Sequence, residues 1–215
     1  MKFMSMLLSA WALAGCSSLW PTPAPQAAFF TLQAPIKAAA VPSPKQLAPA
    51  VTGTAPVLLV QVPRASPGFD SARIIYTRHA HQLEHFARHE WVDAPARLLA
   101  PLMVTALERS AVYGAVVLAP SAATGNLQLD TQLLRLQQEF GAAPSRVRLT
   151  LRAQLIHIAS RQVLATRDFE QLVESASESA PGGVAAAQSA VNLLLDELAA
   201  WCDATVAAQP ASRLR

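Results

Sequence analysis

The sequence of 215 residues has few of the features that mark catalytic or nucleic-acid-binding proteins. It has only eight glycines, and it contains no GxSxG elbow, no glycine-rich phosphate loop and no carboxylate pair in a recognisable motif. Charged residues make up 14% of the chain, and the formal charge of +3 is scattered along it and not gathered in basic runs. These absences predict a protein that is not an enzyme and does not bind nucleic acid.

Cysteines and long apolar runs are also scarce. The two cysteines are Cys16 and Cys202, so a lipid on Cys16 would leave no pair for an internal disulfide. Cys202 lies in an apolar helical pattern, which predicts a buried, unreactive thiol. After residue 15 no segment approaches the roughly 18 uninterrupted apolar residues of a membrane-spanning helix. We therefore expect a folded domain outside the membrane.

The N-terminal residues have the pattern of a lipoprotein signal. Lys2 is followed by an apolar run over residues 3–14, which is too short to cross a bilayer core of about 30 Å. The run ends in Leu13-Ala14-Gly15-Cys16, which resembles the bacterial lipobox. The alternative is an ordinary secretory signal that happens to contain a cysteine. The lipobox predicts cleavage between Gly15 and Cys16, followed by acylation of Cys16 with palmitate-type chains.

The residue after the cysteine predicts where the lipoprotein resides. It is Ser17 and not Asp, which by the sorting rule of Gram-negative lipoproteins resembles an outer-membrane address. Two or more acyl chains anchor a protein stably, whereas one binds only marginally. We expect a protein that is lipid-anchored in the outer membrane and faces the periplasm, with no cofactor other than the covalent lipid.

Composition divides the chain into a signal, a tether and one domain. Residues 1–15 are the predicted signal peptide, and residues 16–27 form a proline-rich tether in which Pro21, Pro23 and Pro25 favour extended polyproline II structure. Residues 28–208 are the predicted domain, within which residues 33–55 form a long Pro/Ala-rich loop. Residues 209–215 are a frayed tail.

Hydrophobic patterns predict eight strands. Short β-prone runs occur at residues 29–32, 57–62, 73–76, 82–87 and 115–118, and the run at 57–62 is apolar enough for a central strand buried on both faces. Strict alternation on both sides of a turn at residues 141–145 predicts a long hairpin with one solvated face, followed by a strand over residues 162–173. A slip in the alternation near Leu133 and Leu134 predicts a β-bulge.

Two amphipathic helices complete the predicted fold. Asp93 is the expected N-cap of the first, which runs to about Ser110 with a kink at Pro101. Apolar residues from Val184 to Cys202 recur with helical spacing and predict the second, and Pro181-Gly182-Gly183 is expected to break the chain before it. The predicted class is α+β, with a mostly antiparallel sheet and two main helices packed on one face.

The histidines are the most plausible metal ligands in the sequence. Four of the five lie between residues 79 and 89, and the pairs His81/His85 and His85/His89 have a spacing of four. That spacing places imidazoles together on a helix, but this segment is predicted as a strand or turn, and it contains no HExxH motif. A solvated polar turn is the favoured interpretation, and a metal site at His81, His85 and His89 is the alternative.

The order of these motifs resembles the family of ABC-type transport auxiliary lipoproteins, which includes the outer-membrane lipoprotein of the paraquat-inducible MCE transport system. The residues that carry the resemblance are Phe29-Phe30-Thr31-Leu32, residues 57–63, Arg73-Ile74-Ile75, Leu83-Glu84, Glu90-Trp91, Pro95, Leu129, Asp130, Phe140 and Arg167-Asp168-Phe169. The resemblance extends from about Phe29 to Ala208.

The resemblance implies a non-enzymatic docking subunit that works with an MCE-domain protein and ABC transporter components to move lipids or other hydrophobic molecules between two membranes. It also makes a homo-oligomer plausible. Candidate partner contacts are Phe29, Phe30, Trp91, Arg146, Arg148 and Arg152, and each could instead be structural: Trp91 in the core, the arginines on a solvated strand face. The alternative functions are a regulator or scaffold of a periplasmic cell-wall enzyme, and a periplasmic metal-binding protein.

Overall fold

A computed structural model describes residues 26–34, 55–141 and 143–210. The predicted signal, most of the tether, most of the loop at 33–55 and most of the tail lie outside the described residues. The described residues form nine strands and two helices. In chain order they are β1 (Ala28–Phe30), β2 (Val57–Val60), β3 (Arg64–Ala65), β4 (Arg73–Thr77), β5 (Glu84–Trp91), α1 (Pro95–Leu107), β6 (Ala115–Leu118), β7 (Leu127–Glu139), β8 (Arg146–His157), β9 (Gln162–Glu174) and α2 (Ala180–Ala207).

The sheet is organised on β7, whose two edges are paired differently. On one edge β7 pairs antiparallel with β8 along its whole length, and β8 pairs antiparallel with β9. On the other edge β2, β3 and β4 each pair with β7 over two or three residues, in parallel. The order β1-β5-β4-β7-β2-β6 runs through these short strands. The long antiparallel pairs dominate, which confirms the predicted sheet, although its short parallel pairs were not predicted.

The long hairpin follows from its alternating sequence. Every second residue of β8 is fully buried, including Val147, Leu149 and Leu151, while the residues between them are half-buried or exposed. The register of β7 and β8 shifts between Leu133 and Arg135, which confirms the predicted bulge. Burying one such leucine contributes about 1.5–3 kcal/mol, so the pattern fixes which face of the hairpin meets the helices.

Both helices cover the same face of the sheet. α1 packs on β2, β6 and β7, α2 packs on β8 and β9, and the helices contact each other. Buried apolar side chains from both layers form one core, to which Leu58, Leu129 and Phe169 contribute from the sheet, and Met103 and Leu198 from the helices. The predicted α+β class, with two helices on one face, is confirmed.

The start of α1 differs from its prediction. The N-cap is Ala94 and not Asp93, because Pro95 takes the first helical turn. The Asp93 carboxylate instead accepts a hydrogen bond of 2.7 Å from the Ala94 N–H and pairs with Arg97. These bonds hold the pKa of Asp93 below its usual range. The helix ends at Leu107, three residues earlier than expected.

The predicted break at Pro181-Gly182-Gly183 is wrong, because these residues form the first turn of α2. Ser179 caps the helix, its side chain accepting from the Gly182 N–H, and proline is tolerated in a first turn because its missing N–H has no partner there. The glycines allow a close approach to neighbouring residues. A Cβ at Gly182 would lie 2.5 Å from the Ser177 carbonyl oxygen, and one at Gly183 would lie 2.2 Å from Gln138 Oε1.

The bounds of one strand and the burial of another also differ from their predictions. The strand expected over residues 82–87 runs instead from Glu84 to Trp91, because His81 adopts a positive φ of 66° and closes a turn before it. β2 was expected to be buried on both faces, but only one face is fully buried. Leu58 and Val60 face the core, while Val57 and Leu59 are partly exposed. β2 is nevertheless interior to the sheet, between β6 and β7.

Candidate interaction surfaces

The predicted lipidation and cleavage residues, Cys16 and Gly15, lie outside the described residues. The described chain begins at Gln26, just before β1, which is an edge strand paired in parallel with β5. At this edge Phe29 is 62% exposed, and Val92, just after β5, is 55% exposed. Phe30 and Trp91 are partners in the parallel register and lie on one side of the sheet. Phe29 and Val92 are their chain neighbours, so by strand alternation both lie on the opposite side. An exposed apolar pair therefore lies at the edge closest to the predicted tether.

Trp91 is not available as an interface anchor, so that interpretation is wrong for it. Its side chain is only 3% exposed and belongs to the core. Trp91 lies on the helix-covered side of the sheet, near Ile74, Leu136 and Ala187. The large indole ring fills space between the sheet and α2, which is the structural alternative considered for it.

Phe30 points to the opposite side of the strand from Phe29, as strand alternation requires. It is partly buried against the core, and its ring stacks on His89 with 5.9 Å between ring centroids. His89 in turn contacts Phe86, and Phe86 contacts the rings of Tyr76 and Phe140. Aromatic pairs at these distances each contribute about 0.5–1.5 kcal/mol beyond the area they bury. Phe30 and His89 therefore hold strands together.

The histidines do not converge. His85 and His89 lie in β5, His89 is packed between aromatic rings, and His81 lies in the turn before the strand. Among the described residues, no group of three or more His, Cys, Asp or Glu side chains is arranged to hold a metal ion. Spacing of four brings imidazoles together on a helix but not on an extended strand.

The predicted arginine row lies on the sheet face opposite the helices, and two of its three members are paired within the sheet. Arg148 donates to Glu139 at 2.8 Å and to Glu170 at 2.7 Å. Arg152 makes two hydrogen bonds of 2.7 Å to Asp168. An acidic partner would have to compete with these carboxylates. Arg146, the third member, is half-buried at the start of β8.

These pairs also set the ionisation of the carboxylates. Burial alone would raise the pKa of Glu139, but the hydrogen bonds from Arg148 and Gln137 outweigh burial and hold the pKa below its usual range. The hydrogen bonds from Arg152 lower the pKa of Asp168. Arg148, Arg152 and their carboxylate partners therefore form a lattice of mutually compensated charges on this face at neutral pH.

A groove of about 480 Å³ lies where this face meets the connection between β4 and β5. We call it the turn groove. Its lining residues are Phe69, residues 77–83, Arg135, Gln137, Glu139 and Gly141. One wall is the connection that contains His79 and His81, and the floor is the end of β7. Sequence reasoning noted the histidines and the bulge separately but did not bring them together.

Two arginines line this groove in different settings. The Arg78 guanidinium lies 4.9 Å from the centroid of the Tyr76 ring and 5.9 Å from that of Phe140, and it pairs with Glu84 at 3.3 Å. Arg135 directly follows the bulge in β7 and is exposed. In the register of β7 and β8, Arg135 lies opposite Thr150, between the positions of Arg148 and Arg152, but it makes no ion pair with a described residue.

In the part of the chain that the structure describes, neither helix is both long and apolar enough to cross a bilayer.

Comparison with known families identifies the chain. The family model for the ABC-type transport auxiliary lipoprotein component matches residues 30–199, which include nearly all of the nine strands and most of α2. The chain belongs to this family. An auxiliary lipoprotein component of an ABC-type transport system associates with transporter components, and the family description suggests a role other than catalysis. The predicted family is thus confirmed.

Solved structures agree with the fold of this auxiliary lipoprotein. Protein XCC0632 from Xanthomonas campestris, assigned to the family DUF330, is 26% identical, with a TM-score of 0.63 over 69% of this chain and 84% of its own. A second structure, of a protein described only as uncharacterized, has a TM-score of 0.63 over 83% of this chain and 99% of its own, at 11% identity, and shows the shared fold alone. No curated protein matches the sequence significantly.

Proposed function

We propose that this auxiliary lipoprotein is the outer-membrane-anchored, periplasm-facing docking subunit of an MCE/ABC-type system that moves lipids or other hydrophobic molecules between the two membranes. The observation that carries the proposal is the family match over residues 30–199, directly behind a lipobox-like Leu13-Ala14-Gly15-Cys16. Ser17 after the lipobox supports the outer membrane as the address.

The structure supports a docking role for the β1 edge more than for the arginine face. Arg148 and Arg152 already have carboxylate partners, whereas Phe29 and Val92 present exposed apolar surface beside a strand edge. Exposed aromatic residues that become buried at an interface contribute much of its binding energy. We therefore assign the partner contact to Phe29 and Val92, close to the lipid tether.

Envelope fractionation tests the anchor and its address. We expect the wild-type protein in the outer-membrane fraction. The Cys16→Ala variant, made with a cleavable secretory signal in place of residues 1–15, should be found in the periplasm as a folded domain that has lost transport function but keeps its partner contacts. The matched variant Ser17→Asp keeps the lipid and should move the protein to the inner membrane. A Cys16→Ala variant that stays in the membrane fraction, or that is unfolded, would contradict this part of the proposal.

Site-specific photocrosslinking tests the docking partner. A benzophenone amino acid at position 29 should crosslink in cells to an MCE-domain protein or to an ABC transporter component, identified by mass spectrometry. The control position is 172, because Leu172 is 40% exposed on the same helix-free sheet face but lies in β9, at the opposite end of the sheet from β1. Crosslinks to a cell-wall synthase alone would support the regulator hypothesis instead, and equal yields at both positions would remove the assignment to the β1 edge.

A further inference from the structure

The turn groove gathers polar side chains of the β4–β5 connection and of β7, among which Arg135 acts on the nearby Glu139 through its charge without a hydrogen bond. In the described part of the chain, the side chains of His79, His81, Gln82 and Arg135 line the groove and make no hydrogen bond or ion pair. Concave sites with a few convergent polar groups are where small ligands bind. Two other arginines of the same sheet face, Arg148 and Arg152, contrast with Arg135 because they are held by carboxylates.

Arg78 is pre-positioned at the wall of the same groove. Its guanidinium is held by the rings of Tyr76 and Phe140 and by one contact to Glu84. A guanidinium has five N–H donors, so most remain available to a ligand. Fixing the side chain in advance lowers the entropy cost of binding. His81 in the same wall has a positive φ of 66°, a strained conformation that often accompanies binding sites.

The acidic side chains near the groove are already satisfied. Glu139 accepts two hydrogen bonds from Arg148, at 2.8 and 3.2 Å, and one of 3.0 Å from Gln137. Glu84 accepts from the Tyr76 hydroxyl at 3.0 Å and from Arg78. Among the described residues that line the groove, the one carboxylate, Glu139, is therefore compensated, while the Arg78 and Arg135 guanidinium groups and two imidazoles supply N–H donors.

The ligand class follows from this donor set and from the space. Planar guanidinium groups match the oxygen atoms of phosphate in bidentate geometry. The volume of about 480 Å³ exceeds what an inorganic phosphate needs, and Phe69 and the 48% exposed Leu83 add apolar surface to the lining. We propose that the turn groove binds a phosphate ester, with Arg135 and Arg78 on the phosphate and the organic part against Phe69 and Leu83.

This proposal goes beyond the docking function and does not depend on it, although a lipid head group as the source of the phosphate would rest on it. The crosslinking experiment concerns the β1 edge, so the two can fail separately.

Calorimetric titration of the full chain, purified in non-ionic detergent at constant ionic strength, tests the site. The probes are inorganic phosphate, glycerol 3-phosphate and dihexanoyl phosphatidic acid below its micelle concentration. We expect saturable binding of both esters and weaker binding of inorganic phosphate. Tighter binding of the short-chain lipid than of glycerol 3-phosphate would identify a lipid head group as the source, and equal binding would identify a soluble phosphate ester.

Two variants make the test specific. Arg135→Gln should weaken binding of the preferred ester at least tenfold, which corresponds to about 1.4 kcal/mol. Arg152→Gln removes the same charge from the same face but outside the groove, and binding should change less than twofold. Equal losses in the two variants, absence of saturable ester binding, or equal affinity for inorganic phosphate would each overturn the proposal.

Histidine ring signals in NMR spectra provide a second measurement that does not depend on any variant. Ester binding should shift the ring signals of His79 and His81 and leave those of His157, which is 6% exposed at the far end of β8, unchanged. Shifts confined to other histidines would place the ligand elsewhere and refute the assignment.

Discussion

Truncation of Trp91 distinguishes a core residue from an interface anchor. The side chain is 3% exposed and is surrounded by Ile74, Leu136 and Ala187, which belong to β4, β7 and α2. Because these neighbours lie on regular elements, the space left by Trp91→Ala cannot close easily. Substitutions of this type cost about 3–5 kcal/mol. For a chain of this length 1 kcal/mol lowers the melting temperature by about 2–4 °C, so we expect a decrease of roughly 6–20 °C.

The assay is thermal and urea unfolding of the chain in a Cys16→Ala background, followed by circular dichroism. Phe29→Ala is the matched control, since Phe29 is 62% exposed and substitutions of exposed residues usually stay within about 0.5 kcal/mol. We expect Trp91→Ala to lose stability and Phe29→Ala to keep it. A Trp91→Ala variant with an unchanged melting temperature would refute it.

Three further predictions concern α2, the charge lattice and the thiol. Gly182→Ala should destabilise the domain by about 1–2 kcal/mol in urea unfolding, because the new Cβ would lie 2.5 Å from a backbone oxygen, and this outweighs the higher helix propensity of alanine. The control Gly141→Ala should be nearly neutral, because its Cβ would have nothing within 4 Å. The depressed pKa of Glu139 stabilises the fold above the usual carboxyl pKa of about 4.3, and that stability is lost as pH falls through the lower folded-state pKa. Arg148→Gln should therefore cost about 1–2 kcal/mol at pH 7 and make stability depend less on pH in the acid range. An unchanged dependence of stability on pH would contradict this. Burial raises the pKa of the Cys202 thiol to about 12. In the Cys16→Ala background this thiol should react with a disulfide reagent at pH 8 only after the protein unfolds. Fast reaction of the folded protein would show that the thiol is accessible.

The parts of the fold that were predictable are those with local, periodic signals. The hairpin of β7 and β8 and its bulge follow from alternation within a few residues of sequence, and the strand Ala115–Leu118 follows from a short apolar run. The parallel pairing of β2 with β7 joins Leu58 to Leu127, and no local pattern specifies a contact between residues so far apart. Pro181 has two opposite meanings, helix start and helix stop, and only the cap at Ser179 decides between them.

The candidate surfaces were less predictable for the same reason. The sequence marks Trp91 as a large aromatic residue but does not show that α2 covers it. The arginine row was recognisable from alternation, whereas its pairing with Glu170 and Asp168 depends on the register of β9. The turn groove requires Arg135 and His81 to face each other across strands about 50 residues apart in sequence, although the bulge beside Arg135 was a usable local signal.

The position of β7 in the sheet has a consequence for the order of folding. The antiparallel meander β7–β8–β9 and helix α2 are contiguous in the chain, so their pairing closes only short loops. In contrast, β2, β3 and β4 reach β7 across about 60–70 residues. We expect the C-terminal half to form the nucleus and the earlier strands to be added to it. The N-terminal strands are synthesised first and can pair among themselves, but the edges that β2, β3 and β4 offer to β7 stay unpaired until β7 has been made.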